Sequence, residues 1–198
     1  AEPLACILCG IEMLSPKPTD HILLYGAGPI GLTFIRTLKA YGVKHLAVVA
    51  KGAVRIAEAK RCGAEFVIDM KDGGVEEALF AHWDEPADIV IDAAGAGSVL
   101  TEAVHLLHTR GRVLLFGYNE HARAEIPPSL VTAREIQIIG VLGKAFPSAI
   151  ALLEDERLGL AQFVSHRMPL TEIGRGVELL LKKQATRVIL YPNGGIPE

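Results

Sequence analysis

The chain has 198 residues, half of them hydrophobic and 22% charged, with a formal net charge of −3. This is enough apolar material for one buried core, and it includes neither the basic block that nucleic acid asks for nor an acidic, disordered tail. The longest apolar runs, such as Ile22 to Tyr25 and Ile89 to Ile91, are strand-sized and far short of the roughly 18 residues a membrane span needs.

In chain order, the sequence opens on Ala1-Glu2-Pro3 with no initiator Met and no basic-then-apolar leader. It reads as a fragment of a longer polypeptide, with a processed terminus as the other reading. Leu4, Leu8, Ile11 and Met13-Leu14 recur at helical spacing until Ser15-Pro16-Lys17-Pro18 breaks the run. His21 to Tyr25 predicts the first strand, and Leu32 to Tyr41 a helix that Gly42 stops. Leu46 to Val49 predicts a second strand. A helix through Ile56 to Lys60 follows and ends at Cys62-Gly63. Phe66 to Ile68 is the third strand. The alternation continues with a helix near Val75 to Ala81, a strand at Asp88 to Asp92, a helix at Ser98 to Leu107 and a strand at Arg112 to Phe116. Ile136 to Val141 is a sixth strand. A helix near Ile150 to Glu154, another at Glu172 to Lys183 and a final strand at Arg187 to Tyr191 complete the chain.

The strands are nearly unbroken Val/Ile/Leu runs rather than apolar–polar alternations, as expected when both faces are buried. Strand–helix alternation of this length predicts an α/β fold: a Rossmann-type, doubly wound, parallel six-stranded sheet with helices on both faces. Residues 1–20 form a leading helix and linker, 21–145 the dinucleotide-binding core, and 146–198 C-terminal helices and the final strand.

The chemistry sits at Gly26-Ala27-Gly28-Pro29-Ile30-Gly31, between the first strand and the next helix. A Gly-x-Gly-x-x-Gly run is a weak signal alone, but this context gives it a mechanism. Gly26 permits the tight turn, Gly28 lets a pyrophosphate approach the backbone, and Gly31 lets helix and strand pack closely. Pro29 and Ile30 open the helix whose free N–H groups and positive dipole end would face the phosphates.

An NAD-binding domain places an acid at the end of the second strand, about 20 residues on. Here Ala50 stands in that place, followed by Lys51, with Arg55 one helical turn further. A carboxylate would repel a 2′-phosphate, whereas a small residue flanked by cations admits one. The expected cofactor is therefore NADP(H) rather than NAD(H). The plainer reading of Lys51 and Arg55 is that of solvated surface charges.

Several segments together resemble the cofactor domain of the medium-chain dehydrogenase/reductase superfamily, the zinc-type alcohol and polyol dehydrogenases. They are Glu2-Pro3-Leu4-Ala5-Cys6, the glycine fingerprint through Leu32, Ala59-Lys60-Arg61-Cys62-Gly63-Ala64, Asp88 to Asp92 with Gly95, Gly111 to Gly117, and Ser165 to Leu170. The resemblance implies an oxidoreductase transferring a hydride between NADP(H) and an alcohol, polyol or related carbonyl substrate. It adds Ala94 and Gly117 to the cofactor-contacting set. It also adds Arg187 as a basic residue near the pyrophosphate, for which a surface arginine is the other reading. The family's zinc ligands lie in an N-terminal catalytic domain, expected to precede Glu2 in a full-length protein, so zinc is not expected in this chain and the chain alone is expected to be inactive. Glu2 is the one residue the resemblance places near that zinc; a carboxylate favouring the helix dipole is the alternative. Cys6-x-x-Cys9 has no second cysteine pair and reads as helix packing.

The segment Ala124 to Val131 carries Pro127-Pro128, which cannot donate ladder hydrogen bonds, so it reads as a sheet edge rather than a central strand. In alcohol dehydrogenase-like relatives the corresponding segment pairs with a two-fold mate, which implies a homodimer; that Pro127-Pro128 blunts the edge and keeps the domain monomeric is the other reading. The three cysteines, in a sequence without a secretory leader, point to a reducing, cytoplasmic setting. A stand-alone nucleotide-binding or redox-sensing module is the alternative function.

Overall fold

Strands that read as unbroken Val/Ile/Leu runs do form the buried centre of the molecule. The structure is a computed structural model and describes residues 1–71, 73–154, 158–182, 184–192 and 195. It comprises two compact units, Ala1–Leu158 and Gly159–Glu198.

The first unit contains α1 (Glu2–Leu14), β1 (His21–Tyr25), α2 (Pro29–Ala40), β2 (His45–Ala50), α3 (Ala53–Cys62), β3 (Phe66–Asp69) and α4 (Val75–Trp83). These are followed by β4 (Ala87–Asp92), α5 (Gly97–Leu106), β5 (Leu107–Leu115), α6 (Pro128–Ala133), β6 (Gln137–Gly140) and α7 (Phe146–Leu153). The six strands make one sheet in the order β3-β2-β1-β4-β5-β6, and every pairing is parallel. Strand order reverses between β1 and β4. In open α/β sheets this is where ligands bind, outside the carboxyl ends of the strands.

Side chains alternate across the sheet. Leu23, Tyr25, Ala47, Val49, Val90 and Val113 join a core with Val75 and Leu79 of α4 and Val99, Ala103 and Val104 of α5. The residues of opposite parity, among them Ile22, Leu24, Val48, Ile89 and Leu114, are also fully buried. They serve the other face, where α1 packs on α2 and α7, and α2 on α3. Phe34, Ile35 and Leu38 of α2 are wholly inaccessible to solvent.

A long-range charge contact fixes the start of the fold. Ser15 ends α1 in a left-handed conformation, φ 46°. The Arg112 guanidinium, on β5, donates to the Leu14 carbonyl, to that of Ser15, and to Asp20 Oδ2 at 2.7 Å. One side chain thus satisfies the loose carbonyls of a helix end and a nearly buried carboxylate. Nearby, at the amino ends of the strands, the rings of His21 and His45 stack with centroids 4.4 Å apart, and Trp83 meets His21 edge-on.

The second unit holds a 3-10 turn (Leu160–Phe163), β7 (His166–Pro169), a second 3-10 turn (Leu170–Glu172), α8 (Ile173–Leu181) and β8 (Val188–Tyr191). Its two strands pair in parallel as a separate sheet. Gly176 lets α8 lie close to Met168 and Val188, which a Cβ would meet at 3.2–3.3 Å. Lys183, at the expected end of this helix, lies outside the described residues.

Three features differ from the sequence reading. Strand β7 has no apolar signature, since its four residues are His166-Arg167-Met168-Pro169. Helix α7 belongs to the first unit, because the Ala145 N–H donates to the Ala5 carbonyl and α7 packs on α1; the units divide after Leu158 rather than after residue 145. The third is a correction: Ala124 to Val131 is not a sheet edge. Pro128 opens α6 at a position where a missing N–H costs nothing, and Leu130 and Val131 pack against the core. The open edge on that side is β6, whose Ile138 is exposed. Among the described residues, no helix is long and apolar enough to cross a membrane.

Candidate functional site

At the carboxyl end of β1 the chain turns at Gly26, with φ +103°, and the Gly26 N–H donates to the Val49 carbonyl at 2.9 Å. The turn is therefore tied to β2 as it enters α2. A Cβ on Gly31 would lie 1.8 Å from the Gly26 carbonyl oxygen, an impossible contact. Gly31 is thus required by packing, and Gly26 by its left-handed backbone.

Gly28 is required by neither. Its φ of −78° and ψ of −177° are ordinary for any residue, and a Cβ there would meet no protein atom within 4 Å. The space above Gly28 is open, and it lies at the N-terminus of α2. That terminus has no side-chain cap, and Pro29 occupies its first position. The N–H groups of Ile30 and Gly31 have no helical acceptor, so they and the helix dipole face the open space.

One strand over, β2 ends at Ala50, almost fully buried. Lys51 and Arg55 are exposed, and no ion pair among the described residues involves either. Gly52, with φ +95°, precedes α3, whose N-terminus also lacks a side-chain cap. Asp69, the register partner of Ala50 on β3, is a carboxylate that sequence reasoning left out of account. Its Oδ1 accepts the Lys71 N–H at 3.2 Å.

Across the switch point, Asp92 ends β4 and is 4% exposed. Its Oδ1 accepts the N–H groups of Ala94 and Gly95 at 2.9 and 2.8 Å. Its backbone carbonyl accepts those of Phe116 and Gly117 at 3.0 and 2.8 Å. A Cβ on Gly117 would fall 2.2 Å from the Gly95 nitrogen, so the turns after β4 and β5 interlock. The Gly26 turn abuts the same segment, since its Cβ would lie 3.3 Å from the Ala93 carbonyl carbon. The turns carrying Gly26, Ala94 and Gly117 thus adjoin at the carboxyl ends of β1, β4 and β5, with Gly28 and Gly31 at the start of α2 beside them. The arrangement around Asp92 escaped the sequence reading; its only signal is an acid closing a strand three residues before a glycine. Burial pushes the Asp92 carboxyl above its ordinary range, and the two N–H donors oppose that rise.

Two further expected residues lie on other elements. Arg187 belongs to the second unit, where its carbonyl accepts the N–H and hydroxyl of Ser165, both at 3.0 Å. Glu2, in the first turn of α1, pairs with Lys144 at 3.2 Å and accepts the Cys6 thiol at 3.5 Å. Burial, then that carboxylate, pushes the Cys6 thiol up. Among the described residues no group of three or more His, Cys, Asp or Glu side chains could hold a metal ion.

Comparison with known proteins agrees with this geometry. Residues 29–155 match the model of the zinc-binding dehydrogenase family. D-arabinitol dehydrogenase 1 of Uromyces fabae is 28% identical over 200 residues, covering 97% of this chain and 57% of that protein. D-altritol 5-dehydrogenase of Agrobacterium fabrum is 32% identical over 180 residues, covering 87% and 52%. Among solved structures, a short chain alcohol dehydrogenase of Escherichia coli CFT073, complexed with the cofactor NADH, superposes with a TM-score of 0.88 at 29% identity, covering 96% of this chain and 57% of that one. The chain spans about half the length of the curated relatives it matches.

The raised Asp92 pKa has a definite sign. The folded state holds this proton more tightly than the unfolded chain, so the contribution to stability is fully present below the ordinary Asp value of about 4 and is lost as pH rises through the folded pKa. Asp92→Asn keeps an acceptor for both N–H groups and removes the titration. Thermal unfolding followed from pH 4 upward should show the stability of the native chain falling relative to Asp92→Asn; a constant or widening advantage for the native chain contradicts the assignment.

Proposed function

The chain belongs to the zinc-binding dehydrogenase family, and on that footing we propose that it binds NADP(H) across the carboxyl edge of its sheet and forms the cofactor-holding part of an alcohol or polyol dehydrogenase. The observation that carries this reading is Gly28, a glycine that neither backbone nor protein packing asks for, set at an uncapped helix N-terminus. A dinucleotide pyrophosphate fits that space, with the Ile30 and Gly31 N–H groups donating to its oxygens.

Ala50 leaves room beside the adenosine ribose. Lys51, Arg55 and the uncapped start of α3 then offer positive potential to a 2′-phosphate, while Asp69 is engaged with its own turn. Asp92 holds the turns carrying Ala94 and Gly117 in fixed register, so that the other half of the dinucleotide meets a rigid, side-chain-poor wall. Arg187 remains a proposed pyrophosphate contact on the family resemblance alone. Bound NADP(H) supplies the nicotinamide that takes or gives a hydride at the carbinol or carbonyl carbon of an alcohol, polyol or related compound. Glu2 can offer a single carboxylate to a metal held by other residues. The chain by itself is expected to turn over no alcohol.

Titration with NADPH and NADH separates the cofactor readings. NADPH should bind at least about ten-fold more tightly, the order expected of one charge-assisted phosphate contact. Ala50→Asp should reverse the order. Equal affinity for the two cofactors contradicts the roles given to Lys51 and Arg55.

Two copies of the chain are proposed to pair along the open β6 edge, an isologous contact that satisfies the free backbone groups of Gln137–Gly140. Sedimentation equilibrium at micromolar concentration should give a dimer mass that Ile138→Lys halves. A single-chain mass at every concentration rules the pairing out.

A further inference from the structure

Tyr118, just after β5, is 85% exposed. A lone exposed aromatic needs no explanation by itself; what distinguishes this one is the fixing of its backbone on both sides. The Gly117 N–H donates to the Asp92 carbonyl at 2.8 Å, and Gly117 interlocks with Gly95. On the other side, Asn119 Nδ2 donates to the Gly95 carbonyl at 3.2 Å, and its Oδ1 accepts the His121 N–H at 3.1 Å. The neighbouring rings Phe34 and Phe116 pack on each other, centroids 4.9 Å apart, and leave Tyr118 without a ring or hydrogen-bond partner among the described residues. A tightly held backbone thus displays a free aromatic side chain just beyond the interlocked turns after β4 and β5.

The orientation of the dinucleotide, which rests on the reading under Proposed function, determines what this ring meets. The 2′-phosphate lies by Ala50, Lys51 and Arg55, on the β2 side. The pyrophosphate crosses at Gly28, so the nicotinamide riboside lies on the β4–β5 side, where Asp92, Ala94 and Gly117 form the wall. We propose that Tyr118 lays its ring against the nicotinamide riboside half of the bound cofactor and sets how tightly that half is held. Adenosine 2′,5′-bisphosphate has the 2′-phosphate, the adenosine and its 5′-phosphate, and lacks the nicotinamide riboside together with the second phosphate of the pyrophosphate.

Calorimetric titration of the chain with both compounds tests the contact. Tyr118→Ala should weaken NADPH about two- to ten-fold, the range of an aromatic contact, and leave the bisphosphate affinity unchanged. Tyr118→Phe keeps the ring and should bind NADPH as the native chain does. Equal weakening of both ligands, no weakening of NADPH, or a loss in Tyr118→Phe equal to that in Tyr118→Ala each overturns the ring contact. A native chain that binds the bisphosphate as tightly as NADPH overturns it too, while leaving the cofactor site standing. A native chain that binds neither overturns the cofactor reading, and the role of Tyr118 with it.

Discussion

The close approach of α2 to the turn before it is the constraint on which the rest of the site depends. The helix must start within van der Waals reach of the Gly26 carbonyl, and only a residue without a side chain can stand at Gly31. That contact aims the N-terminus of α2 along the carboxyl edge of the sheet, at the point where strand order reverses. Move the helix outward by the radius of a methyl group and its free N–H groups no longer converge on the space above Gly28. The positive-φ turn at Gly26, its bond to Val49 and the close contact with Ala93 all serve to hold this one juxtaposition.

The two ends of the sheet are built in opposite ways. At the amino end, bulky and ionisable side chains fill the space: His21 against His45 and Trp83, and Arg112 against Asp20 and the end of α1. At the carboxyl end the turns after β1, β4 and β5 are built on small residues, Gly26, Ala94, Gly95 and Gly117, and the order comes from backbone groups. Asp92 is the exception that organises the rest, since one carboxyl and one carbonyl from the same residue hold four N–H groups of two turns. A wall of that kind is rigid yet leaves room, which suits a large, flat, anionic ligand better than a cluster of long side chains.

Strands β1, β2 and β4 were legible because burial on both faces removes polar residues from them, and the glycine turn because Gly26 and Gly31 each answer a separate steric demand. Strand β7 was not, because His166-Arg167-Met168-Pro169 gives no apolar run and acquires its conformation by pairing with β8. Pro127-Pro128 was read correctly as incompatible with a central strand, but the residue pair also suits a helix start, and the packing of Leu130 and Val131 decides for the helix. The Arg112–Asp20 contact joins residues 92 positions apart and leaves no local pattern. In the site, the missing acid at Ala50 could be seen, whereas the carboxylate of Asp69 beside it could not, because sheet register is a tertiary fact.

The central claim is that the space above Gly28 is kept open for a ligand and not for the fold. Replacing Gly28 by Ala puts one methyl group into that space and touches no protein atom within 4 Å. Thermal unfolding and NADPH titration of Gly28→Ala, measured together, therefore separate the two. The account predicts an unchanged melting temperature and an affinity reduced about ten-fold or more, the loss of at least one charge-assisted hydrogen bond. Unchanged NADPH affinity, or a loss of stability that accounts for the loss of binding, would contradict it.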